Sequence, residues 1–223
     1  MKVCTDACIF GAWVAAQVGE QHTRILDIGS GTGVLSLMVA QAMRPDATID
    51  AVEMDRDAAR QATDNFAHSP WPKQLKLYKT AIQQYAVPEG VQYDLIITNP
   101  PFFENDLPSN DPKRNLALHS TALTLEELLT AIDPILKQDG KLAILLPYHR
   151  TKNFIAAAEK FNLYPQTSTS LKQTFLHSNF RSMLLFGREQ VPPTRSQTIV
   201  IRDAAGNYSE AFDNLLRDYY LYL

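Results

Sequence analysis

The tetrapeptide Asn99-Pro100-Pro101-Phe102 carries the most chemistry in the chain. It follows an apolar run, Tyr93 to Thr98, that reads as a strand, so it occupies the turn leaving a strand's carboxyl end. Two consecutive prolines stiffen that turn and have no N–H, which leaves carbonyl oxygens to face a site. An exocyclic amine on adenine is a weak nucleophile because its lone pair is delocalised into the ring. If the Asn99 side-chain oxygen and the Pro100 carbonyl take its two N–H bonds, the nitrogen is drawn toward tetrahedral geometry and its lone pair is aimed at an electrophile. Phe102 supplies a face on which a flat base stacks. On their own, the four residues also fit a plain strand-ending turn with an Asn cap and a buried Phe.

A second constellation lies upstream, in Ile25-Leu26-Asp27-Ile28-Gly29-Ser30-Gly31-Thr32-Gly33. Asp27 stands at the tip of a strand, and Gly29, Gly31 and Gly33 follow at alternate positions. Glycines there let the backbone turn tightly and approach a ligand, while the next helix offers its first amides. The dinucleotide fingerprint G-x-G-x-x-G would need a small residue at position 34, where Val34 stands, so a nicotinamide cofactor is disfavoured. No Gly-Lys-Ser/Thr ending is present, which argues against a triphosphate loop. The next strand ends at Glu53, followed by Met54, placing a carboxylate where it can accept from both hydroxyls of a ribose. A ligand with a methionine end, a ribose and an adenine would meet Asp27 or backbone carbonyls, loop amides, and Glu53 in turn. S-adenosylmethionine is the expected cofactor. Methyl transfer from its sulfonium neutralises charge, so positioning and desolvation carry most of the effect.

These residues need a parallel sheet to bring them together, because ligands in such sheets bind at the carboxyl ends of the strands. The pattern supplies one: Ile/Leu/Val-rich runs alternate with helical periodicity. Strands are expected at Arg24–Ile28, Thr48–Glu53, Gln74–Lys79, Tyr93–Thr98 and Gly140–Leu146. Helices are expected at Asp6–Val18, Thr32–Met43, Arg56–Ala67, Thr124–Leu136 and Lys152–Phe161. Leu163–Lys172 and Arg181–Arg188 lie too close for a crossover helix and read as antiparallel neighbours. A strand at Thr198–Arg202 and a helix at Ser209–Tyr220 close the chain. Within the long polar connection from Glu104 to Thr121, the loop from Glu104 to Asn115 is longer and more polar than a simple connection requires, which marks it as a functional or mobile segment.

The chain has 223 residues, enough for one substantial core, and a single domain over 1–223 with a C-terminal extension at 190–223 is expected. It is 45% hydrophobic and 20% charged, an ordinary soluble composition, and no stretch is long and apolar enough to cross a bilayer. The first residues lack the order of a signal peptide, so a cytoplasmic location is expected. Cys4 and Cys8 are four apart and cannot staple distant parts of the fold. The five histidines are scattered singly, and no metal is expected. The net charge of −3 argues mildly against a nucleic-acid partner, but its distribution reverses that reading. From Gly140 to Arg202 there are nine Lys and Arg and two Glu, a net of +7, while the rest carries twelve basic and twenty-two acidic residues, −10. One face turned to phosphates would show such polarity.

Together, Asp27 to Gly33, Glu53 and Asn99 to Phe102 resemble the amino-methyltransferases with an Asn-Pro-Pro-aromatic motif. Further stretches extend the likeness over nearly the whole chain: Met1 to Asp6 with Gly11-Ala12-Trp13, then Ile82-Gln83-Gln84, Leu125 to Leu129, and Arg217 to Leu221. These look like the bacterial tRNA1(Val) adenine-37 N6-methyltransferase family. The resemblance implies a Rossmann-like class I methyltransferase, an α/β fold with a seven-stranded, mostly parallel sheet, an antiparallel last strand and helices on both faces. It implies tRNA as partner, with an anticodon-loop adenine as target, and a monomer is expected. Such a base is already unpaired, so little unstacking opposes its entry into a pocket. Lys2, Thr5 and Asp6 are then expected to fold over the methionine end of the cofactor. Arg114, Arg150, Lys152, Lys172 and Arg181 are the expected RNA contacts.

The sequence departs from the family in three places. The family normally has a further strand-like stretch before the Lys-Val segment. Ala81 stands where an acid usually precedes the Ile-Gln-Gln run, so the backbone at Ile82 or another group is expected to hold the cofactor's adenine amine. Leu118 replaces an expected basic residue before His119. Among other readings, enzymes that methylate protein glutamine share the amine-activating motif. They prefer Tyr after the prolines and carry an N-terminal helical domain. A guanine-N2 or small-molecule methyltransferase and a non-catalytic binding module rank below.

Overall fold

The computed structural model describes residues 4–18, 21–100, 123–191 and 195–222. The apolar runs form strands β1 (Arg24–Ile28), β2 (Thr48–Glu53), β3 (Leu75–Lys79), β4 (Tyr93–Thr98), β5 (Leu136–Pro147), β6 (Tyr164–Lys172), β7 (Asn179–Gly187) and β8 (Arg195–Val200). They make one sheet in the order β3-β2-β1-β4-β5-β7-β6-β8. β3, β2, β1, β4 and β5 pair in parallel. β7 runs antiparallel between β5 and β6, and β8 pairs in parallel with β6. The expected seven-stranded, mostly parallel sheet is present, its antiparallel strand being β7, and β8, near the strand expected at Thr198–Arg202, adds an eighth at the edge, parallel to β6.

Helices α1 (Thr5–Val18), α2 (Val34–Ala42), α3 (Arg56–His68) and α6 (Glu210–Leu216) contribute to one apolar cluster, which includes Phe10, Trp13, Val39, Phe66 and Phe212. Helices α4 (Leu125–Ile132) and α5 (Thr151–Glu159) contribute to a second, built on Leu26, Ile96, Leu129, Leu142 and Phe154. The central strands alternate Ile and Leu between these clusters, which is why they read as near-continuous apolar runs. Each fully buried Leu, Ile or Phe contributes about 1.5–3 kcal/mol relative to leaving it in water.

Local chemistry explains most boundaries. α2 begins at Val34 rather than Thr32 because Gly33 is left-handed, with φ of 85°. Asp55 caps α3, its carboxylate accepting from the amides of Asp57 and Ala58. Thr124 and Glu127 close a reciprocal capping box on α4. That helix stops at Ile132 instead of Leu136, since Pro134 cannot continue it. β5 starts early, with Leu136 beside Tyr93, but the register breaks there and regular pairing resumes at Lys141, close to the expected Gly140. β8 ends at Val200 rather than Arg202, because Arg202 instead bridges Tyr208 across the turn. No helix among the described residues is long and apolar enough to cross a membrane.

Candidate active site

Parallel register places the two sequence constellations side by side. Ile28 is level with Val52 on one side and Thr98 on the other, so Gly29, Glu53 and Asn99 leave the sheet as neighbours. Adjacent strands lie about 4.8 Å apart, which makes this row one candidate crevice rather than three separate turns. The Thr98 hydroxyl, fully buried, donates to the Ile28 carbonyl at 2.9 Å and ties β4 to β1 one residue before Asn99. Asn99 is half-buried and Pro100 buried, while Pro101 and Phe102 fall outside the described residues.

The glycine turn is held from below. Amides of Gly29 and Ser30 donate to the Val52 carbonyl at 2.8 and 3.2 Å. Gly29, Gly31 and Gly33 all have positive φ. At Gly33 a side chain is excluded twice, since a Cβ would also lie 2.4 Å from the Phe66 ring. At Gly29 no described atom lies within 4 Å of where a Cβ would stand, so among the described residues nothing crowds the turn there.

Asp27 is completely buried. One carboxylate oxygen accepts from the Ser36 amide at 3.1 Å and the Ser36 hydroxyl at 2.6 Å. The other has no hydrogen-bond partner among the described residues. Burial pushes the Asp27 carboxyl up to about 7, the Ser36 bonds pull the other way, and the negative charge of Glu53 adds to the rise. Glu53 bridges the crevice floor: one oxygen accepts from the Gly31 amide at 2.8 Å, the other from the Asp55 amide at 2.7 Å. A carboxylate has further lone pairs, so those two bonds leave room for hydroxyl donors. Met54 beside it is exposed. Ala81 and the buried Ile82 follow β3, and the Gln84 amide donates to the Ala81 carbonyl at 3.0 Å in a single helical turn.

These features fit S-adenosylmethionine. A buried carboxylate oxygen lacking a donor suits an ammonium, a second carboxylate suits ribose hydroxyls, and an open turn of glycines suits a closely approaching ligand. Among the described residues no group of three or more His, Cys, Asp or Glu could hold a metal ion.

The expected outer residues spread more widely. Asp6, in the first turn of α1, receives a 2.9 Å ion pair from Arg181 Nε at the start of β7, so one expected cofactor residue and one expected RNA contact are bonded to each other. Thr5 is exposed beside Asp6. Arg150 and Lys152 follow the end of β5, and Lys172 ends β6. Lys2 and Arg114, with Leu118 and the Glu104–Thr121 connection, lie outside the described residues. Ser36 and Thr98 were not singled out from sequence. The available signal was a hydroxyl inside the otherwise apolar run 34–40, and another one residue ahead of the Asn-Pro-Pro motif.

A Rossmann-like sheet with a glycine turn and an Asn-Pro turn on adjacent strand ends defines the class: an S-adenosylmethionine-dependent methyltransferase. Comparison with known proteins agrees and narrows it. The Methyltransferase small domain family matches residues 12–169. A tRNA1(Val) (adenine(37)-N6)-methyltransferase of Cytophaga hutchinsonii is 40% identical, covering 100% of this chain and 92% of the relative. One from Dyadobacter fermentans is 44% identical over 86% of this chain and 77% of the relative. A crystal structure described as a predicted O-methyltransferase from Agrobacterium tumefaciens shares the fold, with a TM-score of 0.72 over 96% of both chains at 15% identity. The chain belongs to the tRNA1(Val) (adenine(37)-N6)-methyltransferase family.

Proposed function

We propose that this chain methylates N6 of adenine 37 in tRNA1(Val), acting in the cytoplasm as a monomer with S-adenosylmethionine as donor. The observation that carries the reading is the placement of Asn99 and Pro100 on the strand end next to the glycine turn, on a chain whose relatives bear that name over nearly their full length.

When bound, S-adenosylmethionine supplies an electrophilic methyl on a sulfonium. Asp27 would hold the ammonium through its second oxygen, and Glu53, bonded to the Gly31 amide, would accept from the ribose. The backbone at Ala81 and Ile82 would hold the adenine of the cofactor. Asn99 and Pro100 accept the two N–H bonds of the target amine and orient its lone pair, so no strong base is required. Pro101 and Phe102 complete the turn, Phe102 as the stacking face. Arg114, Arg150, Lys152, Lys172 and Arg181 are the proposed phosphate contacts, with Arg181 also holding Asp6 and thus the start of α1. Lys2, Thr5 and Asp6 close over the methionine end.

Nucleoside mass spectrometry of individual tRNAs from a strain lacking the gene tests this reading. N6-methyladenosine is expected to vanish from tRNA1(Val) alone and to return with a plasmid copy. A normal level in the deleted strain contradicts it.

A further inference from the structure

The hairpin joining β6 to β7 ends in an unusual turn. The His177 amide donates to the Thr174 carbonyl at 3.2 Å, Thr174 Oγ1 lies 2.7 Å from His177 Nδ1, and it accepts from the Leu176 amide at 3.3 Å. The turn is therefore well tied, and its two central residues are Phe175 and Leu176, 68% and 97% exposed. Such positions ordinarily carry Pro, Gly, Asn, Asp or Ser. Neither residue has a positive φ, so backbone geometry does not call for them. Two large apolar side chains held out in water by an ordered turn contradict local preference, and such contradictions mark functional positions.

The turn stands on the same edge as the active site. β7 is antiparallel to β5, with Pro147 level with Arg181 and Ile144 level with Leu184, while Thr98 is level with Ile144. β7 thus lies two strands from β4, about 10 Å away, and runs five residues past the level of Thr98, about 16 Å, before the turn begins. It extends past the strand ends on the edge that carries the candidate site. Tyr148, 44% exposed, follows the end of β5, in a segment that the Thr151 hydroxyl pins to Ser182 at 2.7 Å. Lys172 ends β6 just below the turn, and Lys152 is exposed in the first turn of α5. All of these fall in the stretch of net +7. Aromatic and aliphatic side chains set among cations form a platform for unpaired nucleotides, whose phosphates meet the cations while their bases stack.

We propose that Phe175 and Leu176 are positioning residues for the RNA: Phe175 stacks on an unpaired anticodon-loop base neighbouring the target, and Leu176 packs against its edge. This rests on the reading of the chain as a tRNA methyltransferase. The stacked neighbour holds the loop open while the target adenine occupies the crevice beside Asn99.

Steady-state methylation of a tRNA1(Val) transcript by Phe175→Ala, Phe175→Tyr and Leu176→Ser tests the inference, with S-adenosylmethionine binding measured in parallel. Both side chains are solvent-exposed, so the variants should fold. Phe175→Ala is expected to raise KM for tRNA by about fivefold or more, the lower end for a lost base–aromatic stack, with kcat nearly unchanged. Leu176→Ser should raise KM less, Phe175→Tyr should restore it, and cofactor affinity should not move. A transcript with an abasic site at the stacked position should erase the difference between wild type and Phe175→Ala. An unchanged KM in Phe175→Ala, or a matching loss of cofactor affinity, overturns the inference while leaving the functional reading intact. Failure of the wild-type protein to methylate any tRNA overturns the functional reading itself.

Discussion

Thr98 and Ile28 are joined through a 2.9 Å bond from hydroxyl to carbonyl at the carboxyl ends of neighbouring strands. The bond spans the seam between the two turns of the crevice, and it is buried, where a hydrogen bond is costly to break. It fixes the backbone from which Asn99 projects relative to the glycine turn. A site that works by positioning depends on such ties.

Replacing Asn99 with alanine should remove an acceptor used only on the substrate side. kcat with tRNA is expected to fall on the order of 10²- to 10³-fold, as for loss of a preorganised polar group. Calorimetric titration with S-adenosylmethionine should change little. Equal losses in both measurements would refute this division of roles.

Gly33→Ala and Gly29→Ala should separate packing from cofactor approach. The first puts a methyl 2.4 Å from the Phe66 ring in a left-handed backbone, and urea unfolding should show a loss of about 2–4 kcal/mol. The second meets no described atom within 4 Å, so only the backbone cost of about 1–2 kcal/mol is expected, together with weaker cofactor binding.

Asp27 sets a pH dependence of defined sign. Its carboxyl is pushed up to about 7 in the fold by burial, against an ordinary value of 3.8. Between those values the unfolded chain has lost a proton that the folded chain keeps, so unfolding is favoured increasingly as pH rises. Asp27 should therefore subtract up to about 1.4 kcal/mol of stability per pH unit from about pH 4 to 7, and nothing further above. Asp27→Asn should flatten that slope in urea titrations. The ionised form is the one that suits an ammonium, so cofactor affinity should rise with pH toward 7, with proton release seen by calorimetry in buffers of different ionisation enthalpy.

Lys152→Ala and Lys172→Ala should each weaken tRNA binding without altering the choice of nucleotide. If each meets one phosphate, the slope of log affinity against log salt should become shallower by roughly 0.7–0.9 per substitution. An unchanged slope would move the phosphate face elsewhere.

Much of this candidate site was legible in sequence because its parts are local. Glycines at alternate positions after an apolar run, an acid closing the next strand, and Asn-Pro-Pro after the fourth each announce a strand end, and parallel topology then brings strand ends together. Contacts between residues far apart in sequence left no such trace. Phe66 explains why Gly33 must be glycine, yet it sits 33 positions away in another helix. The Arg181 to Asp6 pair joins residues 175 apart. Glu53 is read from sequence as a ribose acceptor, and its bonds to Gly31 and Asp55, which sequence does not show, brace the turn. The strand near Thr198 was legible, but its pairing partner was not: its seat beside β6 depends on that strand offering an open edge, which periodicity within one segment does not reveal.

The most direct test is incubation of purified protein with S-adenosylmethionine and unmodified tRNA1(Val) transcript, followed by nuclease mapping of the methylated nucleoside. The account predicts one N6-methyladenosine per transcript at adenine 37, absent with Asn99→Ala. Methyl groups appearing instead on guanine N2 or on protein glutamine, or none on RNA under conditions where the cofactor binds, would contradict it.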